Sequence, residues 1–310
     1  MSRSDMVFPD QARELRRIVE LHRQENRPAG NPGNLKTLSV LSGKGGVGKS
    51  NLSLNLACAL GEQEQRVVLM DADLGLANLD MLCGITAKYN ISHLIDGSRS
   101  IDDVLIEFAH NVWILPGGSG IRELADLNEE QLMDLIDTLA VLEDRADILI
   151  VDTGAGLHRS VLTFAWAADT AILVTTPEPT AIRDAYGVLK ALRTSPEVAG
   201  KTDIAFVVNM AGSEEEGIEV ATRIRMAANR FLGLSIHYIG CILKDDLVGR
   251  AVRIRKPFYQ LYPASRASES IRKLGYALMG TPEKGVANFN PPRGLKAFFF
   301  RLTRGYFMER

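Results

Sequence analysis

Three hundred and ten residues, 46% hydrophobic and 24% charged, make a globular chain and exclude a disordered or fibrous one. No apolar run approaches the roughly 20 residues that a bilayer span requires, which excludes a transmembrane helix. The formal net charge of −2 conceals an asymmetry, because residues 249–310 hold 13 Lys and Arg against 3 Asp and Glu, leaving 23 against 35 for residues 1–248. A basic C-terminal fifth on an acidic body points to phosphates or an anionic membrane surface at one end, or to a solvated basic face. The opening MSRSDMVFPDQARELRR has no apolar stretch behind its basic start, which argues against secretion. Cys58, Cys83 and Cys241 are odd in number, far apart and never in a CxxC pair. That argues against a disulfide framework, a zinc site or an iron–sulfur cluster and suits the reducing cytoplasm.

The elements follow in chain order. Residues 9–26 predict a short helix, with Pro9 and Asp10 in its first turn and Ala12, Leu15, Ile18, Val19 and His22 near one face. NRPAGNPGN (26–34) then breaks regular structure, so residues 1–34 read as an arm and linker, detachable or docked on the body. From Leu35, short apolar runs alternate with helical stretches. Strands are expected at 35–42, 66–73, 112–117, 147–153, 170–176, 203–209 and 236–242, and helices include 128–143 and 179–193. The strands are near-continuous Val/Ile/Leu runs, so both of their faces are covered. This alternation predicts an α/β fold with a doubly wound, mostly parallel sheet in one domain, residues 35–287.

After the Pro/Gly-rich break at 288–294 comes LKAFFFRLTRGYFMER. Leu295, Phe298, Phe299, Leu302 and Tyr306 share one helical stripe, with Lys296, Arg301 and Arg304 elsewhere. Three readings stay open for residues 288–310: a helix lying in a membrane interface, a helix packed on the body, and a basic segment on nucleic acid, the last least suited to so aromatic a stripe.

The chemistry is concentrated in Gly43-Lys44-Gly45-Gly46-Val47-Gly48-Lys49-Ser50, which fits GxxxxGK[ST] between an expected strand and a helix opening at Asn51. Glycines allow the backbone to approach phosphates, and the following helix N-terminus aims amides at them. Lys49 is placed to contact the β- and γ-phosphates and Ser50 to hold Mg²⁺. Lys44 adds a second cation near the triphosphate. Asp71 and Asp73 close one expected strand and Asp152 closes another, where ligands bind in such sheets. A carboxylate there can take metal-bound waters or orient an attacking water.

GKGGVGKS resembles the deviant Walker A loop of the MinD/ParA family of P-loop ATPases. The resemblance implies that Lys44 crosses to a partner's nucleotide and that ATP drives a homodimer with two sandwiched ATP molecules. It implies that Asp73, in switch I (DADLGLANLD), positions the hydrolytic water, and that Asp152 and Gly156 form the Walker B and switch II region. Asn209 matches the family's adenine-reading asparagine, and CILKDDLVGRA its adenine-side loop, with Asp245 as the contact. Two positions depart from pattern: Gly154 stands where Pro or Ala is usual, implying a more mobile switch, and Leu243 where Pro is usual.

DADLGLANLDMLCG, TTPEPTAIRDAYGVLKAL and YPASRAS are similar to the flagellar-number (FlhG-type) branch of this family. Asp10-Gln11-Ala12-Arg13-Glu14-Leu15-Arg16 resembles that branch's DQAxxLR arm. The branch resemblance implies that the arm, through Gln11 with Leu15 and Arg16, stimulates a signal-recognition-particle-type GTPase of the FlhF kind. It implies a cytoplasmic ATPase whose tail binds the inner face of the membrane reversibly. Flagellar switch or C-ring proteins and a flagellar transcription activator are further partners it allows. The alternatives are a division-site or cargo-positioning ATPase and a nucleotide-gated module that sequesters a partner.

Overall fold

The computed structural model describes residues 35–73, 78–118, 129–194, 202–279, 294–295, 298–299 and 301–302. The expected arm, with Gln11, Leu15 and Arg16, lies outside these residues, as do Leu74–Ala77 of switch I and Tyr306 of the tail stripe.

The chain opens with β1 (Lys36–Ser42), α1 (Lys49–Glu62), β2 (Val67–Ala72), α2 (Asn78–Cys83), α3 (Ile91–Ile95) and α4 (Ile101–Val104). It continues through β3 (Ile106–Ala109), β4 (Val112–Leu115), α5 (Glu129–Ala140), α6 (Leu142–Arg145), β5 (Ile148–Ala155) and α7 (Arg159–Ala167). Next come β6 (Thr170–Thr175), α8 (Pro179–Thr194), β7 (Asp203–Ala211), α9 (Glu214–Ala227) and a π-helical turn at Ala228–Leu232. β8 (His237–Leu243), α10 (Asp246–Arg253), α11 (Phe258–Leu261) and α12 (Arg266–Met279) complete the body.

Eight strands form one sheet in the order β3-β4-β2-β5-β1-β6-β7-β8. All neighbours are parallel except β3 with β4. The seven expected strands are present, and the doubly wound reading holds. The eighth, β3, is not among the expected strands because its four residues, IEFA, are too short for a run or an alternation to stand out. It pairs with β4 across a turn at His110 and Asn111, where Asn111 takes φ +56°, a conformation asparagine tolerates better than most residues.

Successive side chains of a strand point to opposite faces, and here both faces are apolar. Val67 and Leu69 lie in one buried cluster with residues of α1 and α12, whereas Val68 and Met70 lie in another with residues of α5 and α7. A third cluster joins β6 and β7 to α8 and α9. That double coverage is why the strands read as runs of Val, Ile and Leu.

The C-terminal stripe is part of the second cluster. Leu295, Phe298, Phe299 and Leu302 are each at most 1% exposed. Phe298 stacks on Phe164 of α7 (centroids 6.4 Å, 27°) and meets Phe299 edge-on. Arg301 donates from Nε to the Ala167 carbonyl (2.7 Å) and from Nη2 to Asp169 Oδ1 (3.2 Å). For Leu295, Phe298, Phe299 and Leu302, packing on the body is the arrangement seen. Among the described residues no helix is long and apolar enough to cross a membrane.

Candidate functional site

β1 is flanked by β5 and β6 at the centre of the sheet, so the loop that follows it emerges between the ends of both neighbours. Gly43 and Gly48 are required there by space. A Cβ on Gly43 would stand 2.3 Å from the Asp184 carbonyl oxygen of α8, and one on Gly48 2.3 Å from Asn209 Nδ2. Gly48 also takes φ +91°, in the left-handed region that glycine adopts without steric cost.

Gly48 is the N-cap of α1 and supplies no side-chain acceptor, and no acid stands in the first turn. The first amides of the helix are therefore presented uncapped at the end of the loop, which is the arrangement that receives phosphate. Ser42 braces the loop by donating from Oγ to the Lys44 carbonyl (2.7 Å). Asn209 braces it from β7, donating from Nδ2 to the Val47 carbonyl (2.7 Å) while Oδ1 accepts the Met210 amide (2.9 Å). The asparagine expected to read adenine is thus engaged with the phosphate loop itself. Asn51 lies in the first turn of α1, with its carbonyl accepting Asn55 Nδ2 (2.7 Å).

Lys49 is 8% exposed; burial lowers its pKa, opposed by the Asp152 and Asp73 carboxylates. Asp152 is fully buried. Its Oδ1 accepts Ser53 Oγ (2.9 Å), whereas its Oδ2 has no hydrogen-bond partner among the described residues. Burial pushes this carboxyl up to about 6, against hydrogen bonds from Ser50 and Ser53 and the charge of Lys49. An orphaned, buried carboxylate oxygen beside a serine and a lysine is what a hydrated divalent cation completes, so the residues fit magnesium-bound nucleotide.

β2 pairs Asp71 with Asp152 in register. Asp71 Oδ1 accepts the Asp73 amide (3.1 Å) and Oδ2 the Leu79 amide (3.4 Å), which ties down both ends of switch I. Burial pushes Asp71 up to about 7, opposed by those amides and reinforced by the neighbouring carboxylates. Asp73 Oδ1 lies 3.3 Å from where a Gly154 Cβ would stand, so glycine gives that carboxylate room. Gly154 lies inside β5, which runs on to Ala155, and the Gly156 amide (φ +99°) donates to the Ser42 carbonyl (2.9 Å). Switch II thus leaves the sheet later than its sequence implies.

Asp71 and Asp152 have folded-state values above the usual carboxylate value. Their protonated forms therefore add stability that is fully present below about pH 4 and is lost as pH rises through about 6 to 7. Nucleotide-free protein should melt at a lower temperature at pH 8 than at pH 5, and Asp71→Asn, which cannot ionise, should flatten that slope. A slope unchanged by the substitution would place the titration elsewhere.

Lys44 Nζ pairs with Glu178 Oε2 (2.5 Å), just before α8, and donates to Thr180 Oγ1 (3.3 Å) in its first turn. Neither partner was singled out from sequence. Only the pairing of β1 with β6 brings them beside the loop, and strand order is not written locally. Asp245, expected on the adenine side, caps α10 by accepting the Leu247 amide (2.9 Å) and the Ala267 amide (3.4 Å). Leu243 in place of proline supplies an amide that donates to Ser270 Oγ (3.3 Å), a bond proline cannot make. His158 is the N-cap residue of α7 but makes no side-chain cap.

Residues 38–257 match the family model described as the CobQ/CobB/MinD/ParA nucleotide binding domain. The chain is 37% identical over 270 residues to the antiactivator FleN of Pseudomonas aeruginosa, covering 87% of this chain and 94% of that one. It is 36% identical over 276 residues to the flagellum site-determining protein YlxH of Helicobacter pylori, covering 88% and 92%. Among solved structures, a MinC:MinD cell division complex from Aquifex aeolicus superposes with TM-score 0.63 at 26% identity, covering 82% and 98%. MinD of Pyrococcus horikoshii, solved with Mg-ADP, superposes with TM-score 0.62 at 24% identity, covering 79% and 96%.

Proposed function

The chain belongs to the CobQ/CobB/MinD/ParA nucleotide-binding family, and on that footing we propose that it is a magnesium-dependent ATPase that dimerises on ATP and governs the number and placement of flagella. The observation that carries the ATPase reading is the uncapped α1 terminus beside Lys49 and the orphaned Oδ2 of Asp152. The flagellar assignment is supported by likeness to FleN and YlxH over nearly nine-tenths of the chain.

Magnesium ATP, when bound, supplies the phosphoryl group to be cleaved and a cation that shields its charge. The protein's part is to bind and orient. The Gly43–Ser50 backbone and Asn51 cradle the phosphates, Lys49 neutralises them, and Ser50 and Asp152 hold the cation with Asp71 behind them. Asp73 orients the attacking water, and Gly156 lies where switch II meets the phosphate end. Asn209 and Asp245 shape the base side. Lys44 leaves Glu178 and Thr180 to reach the partner's nucleotide in the dimer.

An exposed ion pair is worth at most about 1 kcal/mol, or roughly fivefold, and the Glu178 side chain is 65% exposed. Glu178→Gln should therefore favour the ATP-dependent dimer by up to about fivefold at limiting ATP, read by light scattering. An unchanged or weakened dimer would show that the pair does not restrain Lys44.

The arm acts on an FlhF-type GTPase through Gln11, with Leu15 and Arg16 as contacts, because glutamine can orient an attacking water without titrating. The C-terminal stripe, packed on the body here, associates reversibly with the inner face of the cytoplasmic membrane when exposed. The test is GTP turnover by the cognate FlhF-type GTPase with a peptide of residues 1–30 beside its Gln11→Ala form. Stimulation lost with Gln11→Ala supports the flagellar assignment; no stimulation by either peptide returns the function to division-site or cargo positioning. The FleN relative's name, an antiactivator, favours a second reading in which the ATP state sequesters a flagellar transcription activator. In that case Asp73→Ala, dimeric but deficient in hydrolysis, keeps its activity.

A further inference from the structure

The basic C-terminal fifth places four of its cations on one exposed segment of the body. Arg250 and Arg253 lie on α10, and Arg255 and Lys256 follow it; all four are exposed, and none forms an ion pair with a described residue. Some other surface cations pair with a carboxylate (Arg66, Arg145, Arg223 and Lys273) and others, such as Lys190 and Arg225, do not pair with a described residue, but residues 250–256 gather four such cations in seven positions. Unpaired like charges repel one another, so such a concentration is retained at some cost in stability unless an anionic partner offsets it.

One exposed apolar side chain, Ile254, lies among these cations, and another, Met81, lies on the neighbouring α2. Ile254 is 55% exposed, and Met81 of α2 is 63% exposed. The two segments are joined: Arg255 takes φ +55°, and its carbonyl oxygen stands 3.1 Å from the position of a Cβ on Gly84, just after α2. Only Ala251 of α10 is fully buried. α10 is thus a shallow surface helix held on α11, which packs on α1 beside α12.

We propose that this α10–α2 face is a contact for an anionic phospholipid surface, acting with the C-terminal segment. The inference rests on the membrane reading given above and adds a second site to it. Aliphatic side chains among cations suit the lipid interface, whereas single-stranded nucleic acid is met by exposed aromatic platforms, which Ile254 and Met81 do not provide. One weak apolar anchor gives marginal, reversible binding, and an added basic patch raises it.

The test is co-sedimentation of the full chain, with ATP and Mg²⁺, on vesicles of phosphatidylglycerol and phosphatidylethanolamine or of phosphatidylcholine alone. Each basic side chain near an anionic surface contributes about fivefold to partitioning. Arg253→Gln with Lys256→Gln should therefore bind anionic vesicles about 25-fold more weakly, with a shallower dependence on salt. Binding to phosphatidylcholine, vesicle-free ATP turnover and melting temperature should be unchanged. A double variant that sediments like wild type overturns the lipid face while leaving the membrane reading of the tail intact. Wild type that ignores anionic vesicles overturns both. A variant that loses affinity for duplex DNA but not for vesicles assigns the face to nucleic acid and overturns the proposal.

Discussion

Lys49→Met should reduce ATP turnover by about 10²- to 10³-fold, the loss that follows removal of one preorganised charge at a developing anion, and should leave the protein folded. Lys49 is 8% exposed, and its burial works against its charge, so the ammonium is held for chemistry more than for stability. Methionine keeps the length and apolar stem of the side chain. Replacing a buried ion by an apolar group of similar shape is often neutral for stability.

The loss should compound. Lys49 is one of the groups holding down the pKa of Asp152, which already stands at about 6. Without the lysine that carboxyl moves further up and is less ionised at neutral pH, so the metal-binding group weakens together with the phosphate contact. Steady-state hydrolysis and a thermal melt decide the matter. Turnover lost with an unchanged melt supports the chemical role, and a drop of several degrees would make Lys49 a structural residue. Lys44 offers the contrast, since it is partly exposed and its variant should melt like wild type. Lys44→Ala that still dimerised on ATP would contradict the sandwiched dimer.

Phe298→Ala should cost about 3–5 kcal/mol, the usual range for a large aromatic removed from a core. Phe298 is completely buried between Phe164 of α7 and Phe299, and it belongs to the cluster that holds Leu35 at the root of β1. For a domain of this size the loss corresponds to a fall in melting temperature on the order of 10 °C. Arg301, 14% exposed at its side chain, adds its pair with Asp169, whose Oδ2 also accepts from the Thr37 amide and hydroxyl. The measurement is a thermal melt of the nucleotide-free protein. A shift below about 1 °C would mean that the segment leaves the body before the body unfolds, so that its packing adds little to global stability.

Much of the site was legible because its chemistry is contiguous. Eight residues from Gly43 to Ser50 carry the phosphate loop, and the flanking strand and helix announce themselves by their periods. Asp71 and Asp152 were legible as strand ends, and the strands themselves as apolar runs, because double coverage leaves no polar face to alternate. The family resemblance drawn from those motifs agrees with the match over residues 38–257.

What remained illegible depends on which elements become neighbours. Glu178 and Thr180 reach Lys44 only because β6 lies beside β1, and Asn209 braces Val47 only because β7 follows β6 in the sheet. Strand order is set by how the helices share the two faces, a global competition that no local window records. The tail shows the same division. Its spacing established an apolar stripe at Leu295, Phe298, Phe299 and Leu302, yet the gain from leaving water is non-directional and does not name a partner. That these side chains leave water follows from their spacing alone; that they do so against Phe164 and β2 follows from the fold, because the assembled sheet and α7 create the face that they cover.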